Sequence, residues 1–201
     1  MNNTETHLGV YLPLALLLPI SAYIVFRLIV RRDYLTGGHL GWLSSSLQLV
    51  IFAGIFSFPY IFNPPEWVLP WTLEGPTCLF LQISGLAIII LGFIIAFGTM
   101  AWFGLGRAFG LEQKGLIHTG PYRITRNPQI LGGYLMVIGV TVQWPSWYSL
   151  GWIILYGIIC HFMVITEEEH LSGRFGEEYV RYCDHTPRYL INIGRLSKPS
   201  I

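Results

Sequence analysis

The stretch TCLFLQISGLAIIILGFIIAFGTMAWF, residues 77–103, runs for 27 residues without a charge. A helix crosses a hydrocarbon core of roughly 30 Å with about 20 apolar residues, so this run by itself predicts a membrane span. Two comparable runs precede it, at 8–30 and 40–62. Two shorter ones follow, at 129–144 and 147–165, parted only by Pro145 and Ser146, and together these predict an antiparallel helical hairpin. The expected fold is therefore all-α: a polytopic membrane protein of five transmembrane helices in a single domain, residues 1–201. Residues 1–103 form its three N-terminal spans and 104–201 its more polar half.

Composition agrees with a bilayer as the main solvent. Apolar residues make up 53% of the chain, charged residues 11%, and mean hydropathy is +0.53. All twelve lysines and arginines fall on one side of the implied membrane, nine of them at or after Arg107. By the positive-inside bias the N-terminus faces out and the C-terminus lies in the cytoplasm. The first run carries its charges, Arg27, Arg31 and Arg32, after it and none before it, which predicts a retained anchor rather than a cleaved signal. Trp67, Trp71, Trp144 and Trp147 sit where an outer aromatic belt belongs. A net charge of +1 gives no reason to expect a nucleic-acid partner. Cys78, Cys160 and Cys183 share no local spacing, so they read as structural thiols.

Small residues recur at Gly85, Gly92 and Gly98 in the third span and at Gly132, Gly133 and Gly139 in the fourth, where they would let helices approach closely in lipid. After Ile165 the sequence turns polar as EEEHLSGRFGEEY, residues 167–179. Leu171, Phe175 and Tyr179 recur every four residues and Glu177 stands four before Arg181, which predicts an amphipathic helix leaving the membrane. The three glutamates suit its N-terminus, where the helix dipole favours negative charge.

The segment GLIHTGPYRITRNPQILGG, residues 115–133, is too broken by proline and glycine to cross a membrane. Gly120-Pro121 predicts a turn, and Asn127 before Pro128 predicts an N-cap with proline in the first helical position. The pairing of Gly-Pro-Tyr-Arg-x-x-Arg-Asn-Pro-x-x-x-Gly with a later Glu-Glu-x-x-Leu-x-x-x-Phe-Gly-x-x-Tyr resembles the membrane methyltransferases related to isoprenylcysteine carboxyl methyltransferase and the phospholipid methyltransferases. The likeness covers about half the chain, from Ala101 to Leu190, and includes Thr186-Pro187-Arg188-Tyr189-Leu190 near its end.

The resemblance implies a cytoplasm-facing site for S-adenosylmethionine and a lipid-like or amphiphilic acceptor arriving from the surrounding membrane lipids. It places cofactor contacts on Lys114, Gly115, Leu116, Ile117, Tyr122, Asn127, Pro128, Gln129, Ile130 and Glu167, with Glu168 as the partner of Glu167. Arg126 and Glu168 stand as candidates for a direct part in the chemistry. His161 joins them as an intramembrane histidine able to deprotonate an amine or hydroxyl. Three departures from the family pattern stand out. Asn127 replaces a histidine, Ile130 replaces an aromatic, and Met163 stands where isoprenylcysteine enzymes place an acceptor-binding arginine. A prenylated carboxylate is accordingly a poor expectation for the acceptor.

Two other functions fit parts of the pattern. Sterol reductases resemble this chain around Arg-x-Pro-x-x-x-Gly, and an NADPH-dependent reductase would need Arg107, Arg123 or Arg126 for the extra phosphate. A non-catalytic lipid-binding or assembly member would bind neither cofactor. Gly104-x-Gly106-x-x-x-Gly110 lacks the strand that a dinucleotide loop follows, and Glu167-x-x-His170 is a single copy of a unit that di-iron sites use twice. No metal is expected. An oligomer is compatible with the sequence, which gives the first two spans no motif of their own.

Overall fold

The computed structural model describes residues 3–61, 76–104 and 115–189, and among these the chain is helical with no strand. Helix α1 (Asn3–Tyr23) passes through a π-helical segment, Ile24–Val30, into α2 (Arg31–Gly37). A left-handed Gly38 (φ 68°) ends that rod. Then follow α3 (Trp42–Ile61), α4 (Pro76–Phe103), a 3-10 turn at Gly120–Arg123, α5 (Pro128–Gln143), α6 (Trp147–Phe175) and α7 (Glu177–His185).

Among the described residues, three helical stretches are long and apolar enough to cross a membrane: Gly9–Gly37, Leu79–Trp102 and Trp147–Phe175. Trp42–Phe58 and Pro128–Gln143 are shorter apolar helices. Much of α4 is a bare apolar surface, with Phe80, Ile83, Ile94 and Trp102 at least half exposed, as suits lipid as the neighbour. Trp144 and Trp147 are exposed at the α5–α6 hairpin. Trp67, Trp71, Arg107 and Lys114 lie outside the described residues.

The helices meet through glycine, for two reasons. Between α4 and α5 the backbones touch. A Cβ on Gly92 would lie 2.5 Å from the Gly132 carbonyl oxygen, and one on Gly139 would lie 2.6 Å from that of Gly85. Gly98, expected to join this contact, has nothing within 4 Å of its Cβ position. Between α5 and α6 the glycines are beds for tyrosines, with the Tyr156 hydroxyl over Gly133, the Tyr134 hydroxyl over Gly157, and the two rings edge to face at 4.9 Å. The core formed by α1, α3, α5 and α6 centres on Phe26, Ile55, Val137, Trp152 and Ile159.

Two local expectations need correction. The polar segment after Ile165 is no separate helix, because α6 runs unbroken to Phe175 and Gly176 (φ 52°) makes the break before α7. Glu167, Glu168 and Glu169 therefore lie in a helix interior, far from any N-terminal dipole. The true start of α6 is Ser146, which exchanges reciprocal capping bonds with Ser149. The expected Glu177–Arg181 ion pair is replaced by Arg181 Nε donating to the Glu177 carbonyl at 3.4 Å.

Candidate functional site

At about 1.5 Å per residue the 29 residues of α6 exceed a roughly 30 Å core, so its charged end projects beyond the apolar run that stops at Ile165. Arg27 marks the same level on the opposite helix, donating to Thr166 Oγ1 at 3.2 Å and to Glu169 at 2.8 Å. Here the three consecutive glutamates meet three different fates. Successive residues step about 100° around a helix, so each faces a different neighbour.

Glu169 is held by the N-terminal part of the chain, from Arg27 and from Arg31 Nε at 2.7 Å. Arg27 is the middle residue of the π-helical segment. Its wider turn, roughly 4.4 residues, brings positions four apart nearly into line and lets both arginines reach one carboxylate. Glu168 is held by the C-terminal part. Arg126 Nη1 lies 2.9 Å from it, and Arg188 grips both its oxygens through Nε and Nη2 at 2.5–3.0 Å. Arg126 and Glu168 are both nearly buried, at 13% and 14% exposure, so this pair is desolvated and well matched.

Glu167 has no ion pair or hydrogen bond among the described residues. Burial, with the Glu168 carboxylate beside it, pushes its pKa up to about 7. Its electrostatic neighbours include Tyr122 from the connecting segment, Tyr34 from α2, and Cys160 two turns earlier on α6. Burial raises both phenols further from ionisation, so they stay neutral donors. The Tyr34 ring is stacked on His170 at 4.1 Å and 10°.

The connecting segment is stitched to the chain's later residues. The Arg126 backbone N–H donates to the Pro187 carbonyl at 2.9 Å, and Thr125 Oγ1 and Asn127 Nδ2 both donate to the Arg188 carbonyl, at 3.1 and 3.0 Å. Tyr182 donates to the Tyr122 carbonyl at 2.7 Å. Asn127 does occupy the N-cap position before Pro128, yet its side chain caps nothing, because its amide is spent on that stitch. Gln129 hydrogen-bonds the Tyr122 side chain. Pro128 and Ile130 are buried beneath, the Ile130 carbonyl accepting from Tyr156 at 3.4 Å.

The structure thus brings Tyr122, Gln129 and Glu167 together, and Asn127 beside them. It sets Arg126 and Glu168 apart as an ion pair and leaves Gly115 exposed, with Leu116 and Ile117 half-buried. His161 stands seven residues before Glu168, two turns along the same face, and so is turned away from Glu167. Its Nδ1 lies 3.4 Å from the Tyr189 hydroxyl. Met163 packs against the apolar core. Tyr34, Tyr182 and the clamp from Arg27 and Arg31 had no signal in spacing or motif. Arg188 had one, since it stands in the tail that resembles the methyltransferases, though nothing there announced its partner. No group of three or more metal-ligating side chains occurs among the described residues.

Comparison with known proteins adds a family. A model of the phospholipid methyltransferase family matches residues 79–178, about half the chain. A stretch of 62 residues is 36% identical to an uncharacterised protein of Haemophilus influenzae, covering 98% of that protein and 28% of this chain. No solved structure matches.

Proposed function

The chain belongs to the phospholipid methyltransferase family, a membrane methyltransferase family, and from that premise we propose that it transfers a methyl group from S-adenosylmethionine to a lipid-like or amphiphilic acceptor at the cytoplasmic membrane interface. The observation that carries this reading is Glu167: a largely buried carboxylate without a cation, beside two glutamates that have two arginines each. A buried charge is retained only where something compensates it, and a ligand bearing positive charge supplies that compensation.

When bound, S-adenosylmethionine would supply an electrophilic methyl group whose leaving group is a neutral thioether. The residues have separable tasks. Glu167 provides the countercharge in a site with little water, where such a charge acts most strongly. Tyr122, fixed by Gln129 through its side chain and by Tyr182 through its carbonyl, offers a neutral donor beside it. Glu168, already neutralised, holds the connecting segment against the later residues through Arg126 and Arg188. Lys114, Gly115, Leu116 and Ile117 complete the cofactor contacts in this reading. His161, the candidate base for an amine or hydroxyl acceptor, is turned away from Glu167 toward Tyr189 and would serve only an acceptor lying on that side of α6. Proximity and in-line placement supply most of the acceleration such a transfer needs.

In the same reading the five apolar helices all cross the membrane, with the N-terminus outside and the site and C-terminus in the cytoplasm. Reduction with NADPH is disfavoured by the commitment of Arg126 to Glu168 and Cys183, which leaves it unavailable to a ribose phosphate. Calorimetry of the detergent-purified protein with S-adenosylhomocysteine and, separately, NADPH tests the proposal. The expected result is binding of the first ligand alone, abolished in Glu167→Gln. Binding of NADPH, or of neither ligand, overturns it.

A further inference from the structure

The polar end of α6 divides two environments. Glu167 faces Tyr122 and the start of α5, whereas Glu168, Glu169 and Ser172 turn toward a groove of about 1060 Å3 bounded by α2, α6, α7 and Arg188. Glu167 is not among the residues lining that groove. The groove therefore needs a role of its own.

Its chemistry is that of a site for an anion carried on an apolar body. Four arginines line it, Arg31, Arg126, Arg174 and Arg188, against three acids, Glu168, Glu169 and Asp184. Two of those acids are already saturated by arginine pairs. Arg174 has no ion pair among the described residues, and Arg31 uses only its Nε. Beside this charge stand Ile165, where the apolar run of α6 ends, and the exposed Leu35 and Val180. Arg27 and Arg31 follow directly on the first apolar run, so the groove lies where lipid headgroups lie.

We propose that this groove binds the phosphate of an anionic membrane lipid, with Arg174 and the free end of Arg31 on the headgroup and Ile165, Leu35 and Val180 along the start of its chains, at a site that shares Tyr34 with the surroundings of Glu167 but does not include Glu167 itself. Guanidinium forks match phosphate oxygens in pairs, and basic pockets between helices at the cytoplasmic boundary suit such headgroups. The inference does not depend on the methyltransferase reading, because it uses neither Glu167 nor the cofactor.

Native mass spectrometry of the full chain released from detergent, titrated with phosphatidylglycerol or with phosphatidylcholine of the same acyl chains, tests it. One phosphatidylglycerol should be retained in preference, and Arg174→Gln should weaken that retention about fivefold with an unchanged melting temperature. Arg31→Gln should do the same while also loosening Glu169. Equal retention of the two lipids, or an Arg174→Gln variant that behaves as wild type, overturns the proposal. Displacement of phosphatidylglycerol by millimolar inorganic phosphate would make the groove a free-anion site and overturn its assignment to lipid.

Discussion

Replacing Glu167 by glutamine should stabilise the unliganded protein while removing its ability to bind cofactor. Burial and the neighbouring Glu168 raise this carboxyl from an ordinary 4.5 to about 7, which corresponds to about 3 kcal/mol between the protonation states. Water still reaches the carboxyl in part, so about 3 kcal/mol is a ceiling and roughly 1–2 kcal/mol the working expectation. The direction follows from linkage. A carboxyl with a raised folded pKa contributes stability that is fully present below 4.5 and is lost as pH rises through about 7. Glutamine cannot ionise and escapes that loss. Melting of wild type and Glu167→Gln in detergent at pH 4, 5, 6, 7 and 8, both without ligand, should show curves that nearly coincide at pH 4 and separate in the variant's favour by pH 8. At about 2–4 °C per kcal/mol the separation is several degrees. All other titrating groups are common to the two proteins, so the difference isolates Glu167. A gap that is the same at every pH, or a variant less stable at pH 8, would refute the picture of an uncompensated buried carboxylate.

Two further outcomes follow from the contacts. Gly92→Leu should disrupt the α4–α5 contact, at a cost of at least 1–3 kcal/mol read as a lowered melting temperature, because its Cβ already meets the Gly132 carbonyl oxygen at 2.5 Å; Gly98→Leu, with open space around it, should melt as wild type does. The two paired glutamates should behave differently under calorimetry with S-adenosylhomocysteine. Glu169→Gln frees Arg27 and Arg31 at a 44%-exposed site and should cost under about 1 kcal/mol, whereas Glu168→Gln strands the nearly buried Arg126 and should cost about 3–5 kcal/mol of stability and the site with it.

How far the sequence reveals this protein differs between its parts. The apolar helices are legible because hydrocarbon imposes one demand, an uncharged run of sufficient length, and 77–103 meets it without ambiguity. The glycines of α4 and α5 are legible in kind, though Gly98 shows that a small residue marks a contact only where another helix arrives. Asn127 illustrates the reverse. Its position was readable from Pro128, but its side chain follows a partner sixty-one residues away, at Arg188. Glu167, Glu168 and Glu169 are identical letters in a row, and the arginines that separate their roles come from the π-helical segment and α2, from the connecting segment and from Arg188. No local pattern could sort them. The π-helical turn that aligns Arg27 with Arg31 likewise leaves no trace in residue spacing.

The stitch between residues 125–127 and the carbonyls of Pro187 and Arg188 bears on how the molecule is made. Chains emerge from the ribosome N-terminus first, so every apolar helix is available to the membrane before the residues that hold the connecting segment have been synthesised. Biogenesis then has two stages: insertion, driven by greasy helices that need nothing after α6, and maturation, in which Pro187 and Arg188 fasten a loop laid down some sixty positions earlier. A chain stopped after His185 would still reach the bilayer with all its apolar helices and would be inert there, an intact scaffold whose final seam was never sewn.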